Sequence, residues 1–75
     1  MKTTIATFPI ATTDEFYTVG VLAGRFYVDF YDGEKMTENV ENSRDAVKAV
    51  EMAARFALAR QQVVLFTWEP MIWKD

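Results

Sequence analysis

The stretch YTVGVLAGRFYVDF, residues 17–30, decides the fold. A two-residue turn at Ala23-Gly24 sets Val21 against Phe26, Val19 against Val28 and Tyr17 against Phe30. Side chains alternate across a strand, so all six fall on one face. Slipping the register by one residue would oppose this apolar set to Arg25, Tyr27 and Asp29, so the pattern selects its own pairing. Gly24 supplies the positive φ that a tight hairpin turn needs.

Working outward, Asp32-Gly33 is a second turn signal directly after Tyr31. A three-residue loop there, followed by a return strand over residues 35–40, would pair Phe30 with Met36 and Phe26 with Val40. Glu38 would then face Val28, which suits an edge strand. Ser43 is a good helix N-cap, with Asp45 placed where the helix dipole favours an anion. The next residues are rich in alanine and straight-chain side chains and lack glycine and proline, which predicts a helix to Arg60. On a wheel of 100° per residue, Val47, Val50, Ala54 and Leu58 share one side, flanked by Ala46 and Ala57. That stripe is expected to pack on the sheet.

Val63-Val64-Leu65-Phe66 is apolar on both parities and reads as an interior strand, ended by Pro70 and followed by a short tail, Met71-Ile72-Trp73. At the other end, residues 3–8 read as a first strand and residues 12–15 as a turn. The expectation is a single α+β domain over residues 1–75. It has an antiparallel four- to five-stranded sheet, one helix packed on one face, and the order β-β-β-β-α-β.

Composition sets limits on chemistry. The 75 residues include no cysteine, no histidine and one serine, Ser43, with a net charge of −3. Thiolate catalysis, cysteine or histidine metal ligation and a serine activated by imidazole are therefore excluded. The five acids Asp29, Asp32, Glu34, Glu38 and Glu41 could attract a hard cation, but the calcium-loop spacing is missing. Phosphate-binding glycine loops are missing too, as the three glycines are Gly20, Gly24 and Gly33. No catalytic residue, metal or cofactor is expected. The longest apolar run is four residues, against roughly 20 for a membrane span. Residues 1–13 make a poor signal peptide, so a cytoplasmic protein is expected. The acidic balance argues against direct nucleic-acid binding.

What remains is surface. Met52 and Phe56 stand four apart, almost opposite the Val47 stripe, either as a local pair under the C-terminal tail or as a small contact surface. One helix cannot cover both faces of a sheet, so Phe16, Leu22, Tyr27 and Tyr31 must turn away from it. A bare face of that kind calls for a partner, a second copy or cover from the chain's own ends. Charge is divided as well. Residues 29–41 carry five acids against Lys35, whereas residues 44–60 carry four bases against Asp45 and Glu51. Acids on an edge hairpin guard against aggregation, and they can also dock on a basic surface.

The segment from Phe26 to Arg60, with its strand, Asp32-Gly33 turn, strand, Ser43 and alanine-rich helix, resembles small phage-encoded inhibitors of bacterial machinery, such as the anti-CRISPR proteins. The hairpin-then-helix layout is also similar to antitoxins of the HicB type. The inhibitor resemblance implies a non-enzymatic domain that binds and occludes a host complex handling nucleic acid, in the host cytoplasm. The residues expected to meet such a partner are Tyr27, Tyr31, Asp32, Glu34, Glu38, Glu41, Met52 and Phe56. A homodimer with an assembly role is the alternative expectation.

Overall fold

The computed structural model describes residues 1–73, with side chains as far as Phe66. Four strands, β1 (Thr3–Pro9), β2 (Glu15–Leu22), β3 (Arg25–Asp32) and β4 (Lys35–Ser43), precede one helix, α1 (Ala46–Trp73). The strands form an antiparallel sheet in the order β1-β2-β3-β4. The helix lies across one face and touches all four.

The central hairpin has the register its apolar pattern requires. Tyr17 faces Phe30, Val19 faces Val28 and Val21 faces Phe26. Ala23 and Gly24 both take positive φ, 52° and 75°. Such a turn matches the right-handed twist of the flanking strands. β1 joins the β2 side and brings Ala6 opposite Val19 and Phe8 opposite Tyr17, with an irregularity at Ile5. Behind it, the loop is held by Thr13, whose hydroxyl donates to Ile10 O at 2.8 Å and accepts the Glu15 N–H at 2.9 Å.

β4 departs from the expected register. The turn has two residues, Gly33 and Glu34, because Asp32 pairs directly with Lys35. Tyr31 then faces Met36, Phe30 faces Glu38 and Phe26 faces Ser43, so neither the Phe30–Met36 nor the Phe26–Val40 pairing forms. Two register shifts, which leave Thr37 and Val40 as extra residues, account for the difference. A bulge re-aims side chains. Here it lets Val40 pack on the core while Asn39 still faces Asp29.

The helix begins later than Ser43. That residue ends β4, paired with Phe26, and its hydroxyl accepts the Asp45 N–H at 3.0 Å. Asp45 is the N-cap, its Oδ1 accepting from Val47 N at 2.9 Å and Lys48 N at 3.3 Å. Extending β4 to Ser43 leaves Asp45 as the next side chain able to cap, and its charge suits the dipole.

The sheet takes a different face of the helix from the expected one. Ala49 and Ala53, both 0% exposed, meet Val19 and Val28, also 0% exposed. Val47 and Leu58 point outward at 66% and 61% exposure. The alanines bring the helix backbone close to the sheet, and Met52 and Phe56 pack against the same cluster, with the Phe56 ring 6.0 Å from that of Tyr17. Met52 and Phe56 are therefore partly buried and packed against the core cluster. Of the expected stripe, Ala57 is buried and Ala46 and Val50 are half-buried, while Val47, Ala54 and Leu58 are exposed.

The helix also runs straight through residues 63–66, which the parity pattern assigns to a strand. An apolar run on both parities fits a helix as well as a strand, and no breaker separates it from the alanine-rich segment. At ~1.5 Å per residue the helix is about 42 Å long, whereas an eight-residue strand spans about 27 Å. It overhangs the sheet, and the molecule is 53 Å in its longest dimension. Met71-Ile72-Trp73 falls in the last helical turn, and its side chains lie outside the described residues.

Candidate interaction surface

On the sheet face away from the helix, β3 places Tyr27, Asp29 and Tyr31 in alternation, and β2 adds Phe16 and Thr18. Asp29 is 1% exposed. Lys2 Nζ donates to its Oδ2 at 2.6 Å and Asn39 Nδ2 to its Oδ1 at 2.9 Å, so the carboxylate is satisfied on both oxygens. The Lys2 ammonium lies 5.2 Å from the centre of the Tyr27 ring. Its stem crosses Gly20, where an added Cβ would stand 3.5 Å from Lys2 Cβ. Phe16 and Tyr31 stack with centroids 5.0 Å apart.

These contacts close much of the face that the sequence leaves bare. Phe16, Tyr27 and Tyr31 are half-buried, while Leu22 and Met36 stay exposed. Lys2 covers Gly20, Tyr27 and Asp29, and Phe16 and Tyr31 shield each other.

The acidic residues lie on the β3–β4 hairpin, at its turn and along the β4 edge of the sheet. Asp32, Glu34, Glu38 and Glu41 are all exposed. Two ion pairs form among the described residues, Lys2–Asp29 and Glu15–Arg60, and neither involves those four. Among the described residues no group of acids converges on a metal-binding geometry. The expected partner-binding set is thus divided. Tyr27 and Tyr31 sit on the open sheet face, the four acids along the edge, and Met52 and Phe56 under the helix.

The Glu15–Arg60 pair was not legible, because it joins residues 45 positions apart. Arg60 Nε and Nη2 each donate to a Glu15 oxygen at 2.8 Å, a two-pronged contact that anchors the helix to the start of β2. Hydrogen bonding from Arg60 holds the Glu15 carboxyl below its ordinary range. Burial pushes the Tyr17 phenol up. Both shifts move away from neutrality, so neither group is poised for proton transfer at neutral pH. One residue further on, Gln61 Oε1 accepts the Ala11 N–H at 2.7 Å and clasps the β1–β2 loop.

The fold and surface thus define a small α+β protein with a meander sheet, a single long helix and an unpaired acidic edge. No family model, curated protein or solved structure matches the chain. No helix among the described residues is long and apolar enough to cross a membrane.

Proposed function

We propose that the protein is a non-enzymatic protein-binding domain. Its acidic edge would lie against a basic, nucleic-acid-binding surface of another protein and occlude it, as the phage-encoded inhibitors it resembles in element order would. The observation that carries this reading is the edge itself. Asp32, Glu34, Glu38 and Glu41 stand exposed on one hairpin with no ion pair among the described residues. Unpaired rim charges of one sign raise the rate of encounter with an opposite surface and disfavour like-charged partners. Tyr31, opposite the exposed Met36, offers an apolar anchor next to the charges. A cytoplasmic setting fits such a partner.

The non-enzymatic part rests on inventory and engagement. There is no histidine or cysteine, and the Ser43 hydroxyl is engaged by the Asp45 N–H. The buried carboxylate, Asp29, is held by Lys2 and Asn39.

The test is capture from bacterial lysate at low and high salt, read by mass spectrometry. The comparison is a variant carrying Asp32→Lys, Glu34→Lys, Glu38→Lys and Glu41→Lys. A nucleic-acid-handling complex held by the native protein at low salt should be lost by the variant. Equal retention by both, insensitive to salt, rules out docking through this edge.

A further inference from the structure

The helix face turned away from the sheet carries Val47, Ala54, Leu58 and Leu65, all exposed. At 100° per residue these four fall within about 40° of one another. Their spacing is seven, four and seven residues, which reads the same from either end. A two-fold interface needs this property, because residue i must meet j while j meets i. In an antiparallel pair of helices centred at the level of residue 56, Val47 meets Leu65 of the second copy and Ala54 meets Leu58. Each pairing sets a larger side chain against a smaller one.

A second feature lies at the end of the same stripe. Ala46, Val47, Val50 and Glu51 line a shallow apolar hollow of about 260 Å³. The same centring brings Leu65, 48% exposed, opposite Val47 and therefore against this hollow. It also brings the exposed Gln62 opposite Val50, where its amide can donate to the Glu51 carboxylate, a polar match at the rim.

From these two features we infer that α1 pairs with α1 of a second copy, antiparallel, through Val47, Ala54, Leu58 and Leu65, with Leu65 set against the partner's hollow. The contact runs along about 27 Å of one helix, a single seam that no second element widens. The dimer is accordingly reversible and concentration-dependent. It leaves the β4 edge free, so the two proposals stand or fall separately. The pairing also brings the two Arg55 side chains to the same rim, so added salt strengthens it, whereas salt weakens binding through the acidic edge.

The chain has no cysteine, so engineered thiols report the register directly. Oxidation of an equimolar mixture of Ala54→Cys and Leu58→Cys proteins should give a cross-linked heterodimer at several times the yield of either alone. Val47→Cys alone should stay uncross-linked, since its partner position is Leu65. In sedimentation, the native protein should pass from one to two chain masses with concentration, and Leu58→Asp should raise the dissociation constant at least tenfold. A native protein that stays monomeric at every concentration, with no cross-link in the mixture, overturns the inference. So does efficient self-cross-linking of Val47→Cys, which would mean parallel helices, or binding of this face only to a different protein.

Discussion

Lys2 Nζ lies 2.6 Å from Asp29 Oδ2, on the sheet face that no helix covers, and Asp29 is 1% exposed. A carboxylate removed from water needs its partners, and breaking such a pair from one side leaves an uncompensated charge. Lys2 is itself 31% exposed, so water partly replaces it. Lys2→Met should therefore destabilise by about 1–3 kcal/mol. Asp29→Asn, which removes the charge and keeps the shape, should be milder in combination. The double variant should recover part of the loss, and urea titration of the full cycle measures the coupling. Gly20→Val should mimic Lys2→Met, because the lysine stem crosses the space that Gly20 leaves open.

The Glu15–Arg60 contact makes stability depend on pH at the acid end. The Glu15 carboxyl is held below its ordinary value of 4.5, chiefly by its hydrogen bonds from Arg60. A depressed carboxylate contributes stability that is present above that ordinary value and lost as pH falls through the depressed one. With Arg60 41% exposed, the contribution is about 1 kcal/mol or less. Glu15→Gln should lower the urea midpoint at pH 7 and flatten the acid limb. At the alkaline end the sign reverses. The half-buried Tyr17 phenol titrates above its usual 10, so the unfolded chain ionises first and stability falls as pH rises past that value. Tyr17→Phe should remove that decline, and an unchanged alkaline limb in this variant would show that another group causes it.

Which helix face is buried can be tested by size. Ala53 is 0% exposed against the sheet, so Ala53→Leu should overpack the core and cost about 1–3 kcal/mol. Leu58 is 61% exposed, and Leu58→Ala should leave the stability of the dilute protein within about 0.5 kcal/mol. The wheel drawn from sequence implies the reverse order, so thermal melts of these two variants distinguish the two faces.

That reversal shows where legibility in the sequence ends. The β2–β3 register could be read because the Val19–Val28 and Tyr17–Phe30 pairs face each other across a turn, and any slip exposes them. The helix face could not, because α1 carries apolar side chains around most of its circumference. The choice between Val47 and Ala49 depends on how closely the helix approaches the sheet and on the reach of Arg60 to Glu15. Both are tertiary facts. The β4 register failed for a related reason, as bulges at Thr37 and Val40 leave no period in the sequence. The acidic edge was legible, since its residues are local. The Lys2 cover on the open face was not, because it joins residues 27 positions apart.

The two ends of the central elements give opposite expectations for substitution. Ala23 adopts φ 52°, a region where a Cβ meets the following carbonyl at a cost of about 1–2 kcal/mol. Asparagine tolerates that conformation and, followed by Gly24, makes the favoured pair for this turn. Ala23→Asn should therefore stabilise by about 0.5–1 kcal/mol, whereas Gly24→Ala, at φ 75°, should destabilise by about as much or more. At the helix start, Asp45→Ala should cost about 1 kcal/mol by freeing the Val47 and Lys48 amides. Ser43→Ala, which removes a single exposed hydrogen bond outside the helix, should cost less. If Ser43→Ala proves the more damaging of the two in parallel melts, Ser43 and not Asp45 caps the helix in solution.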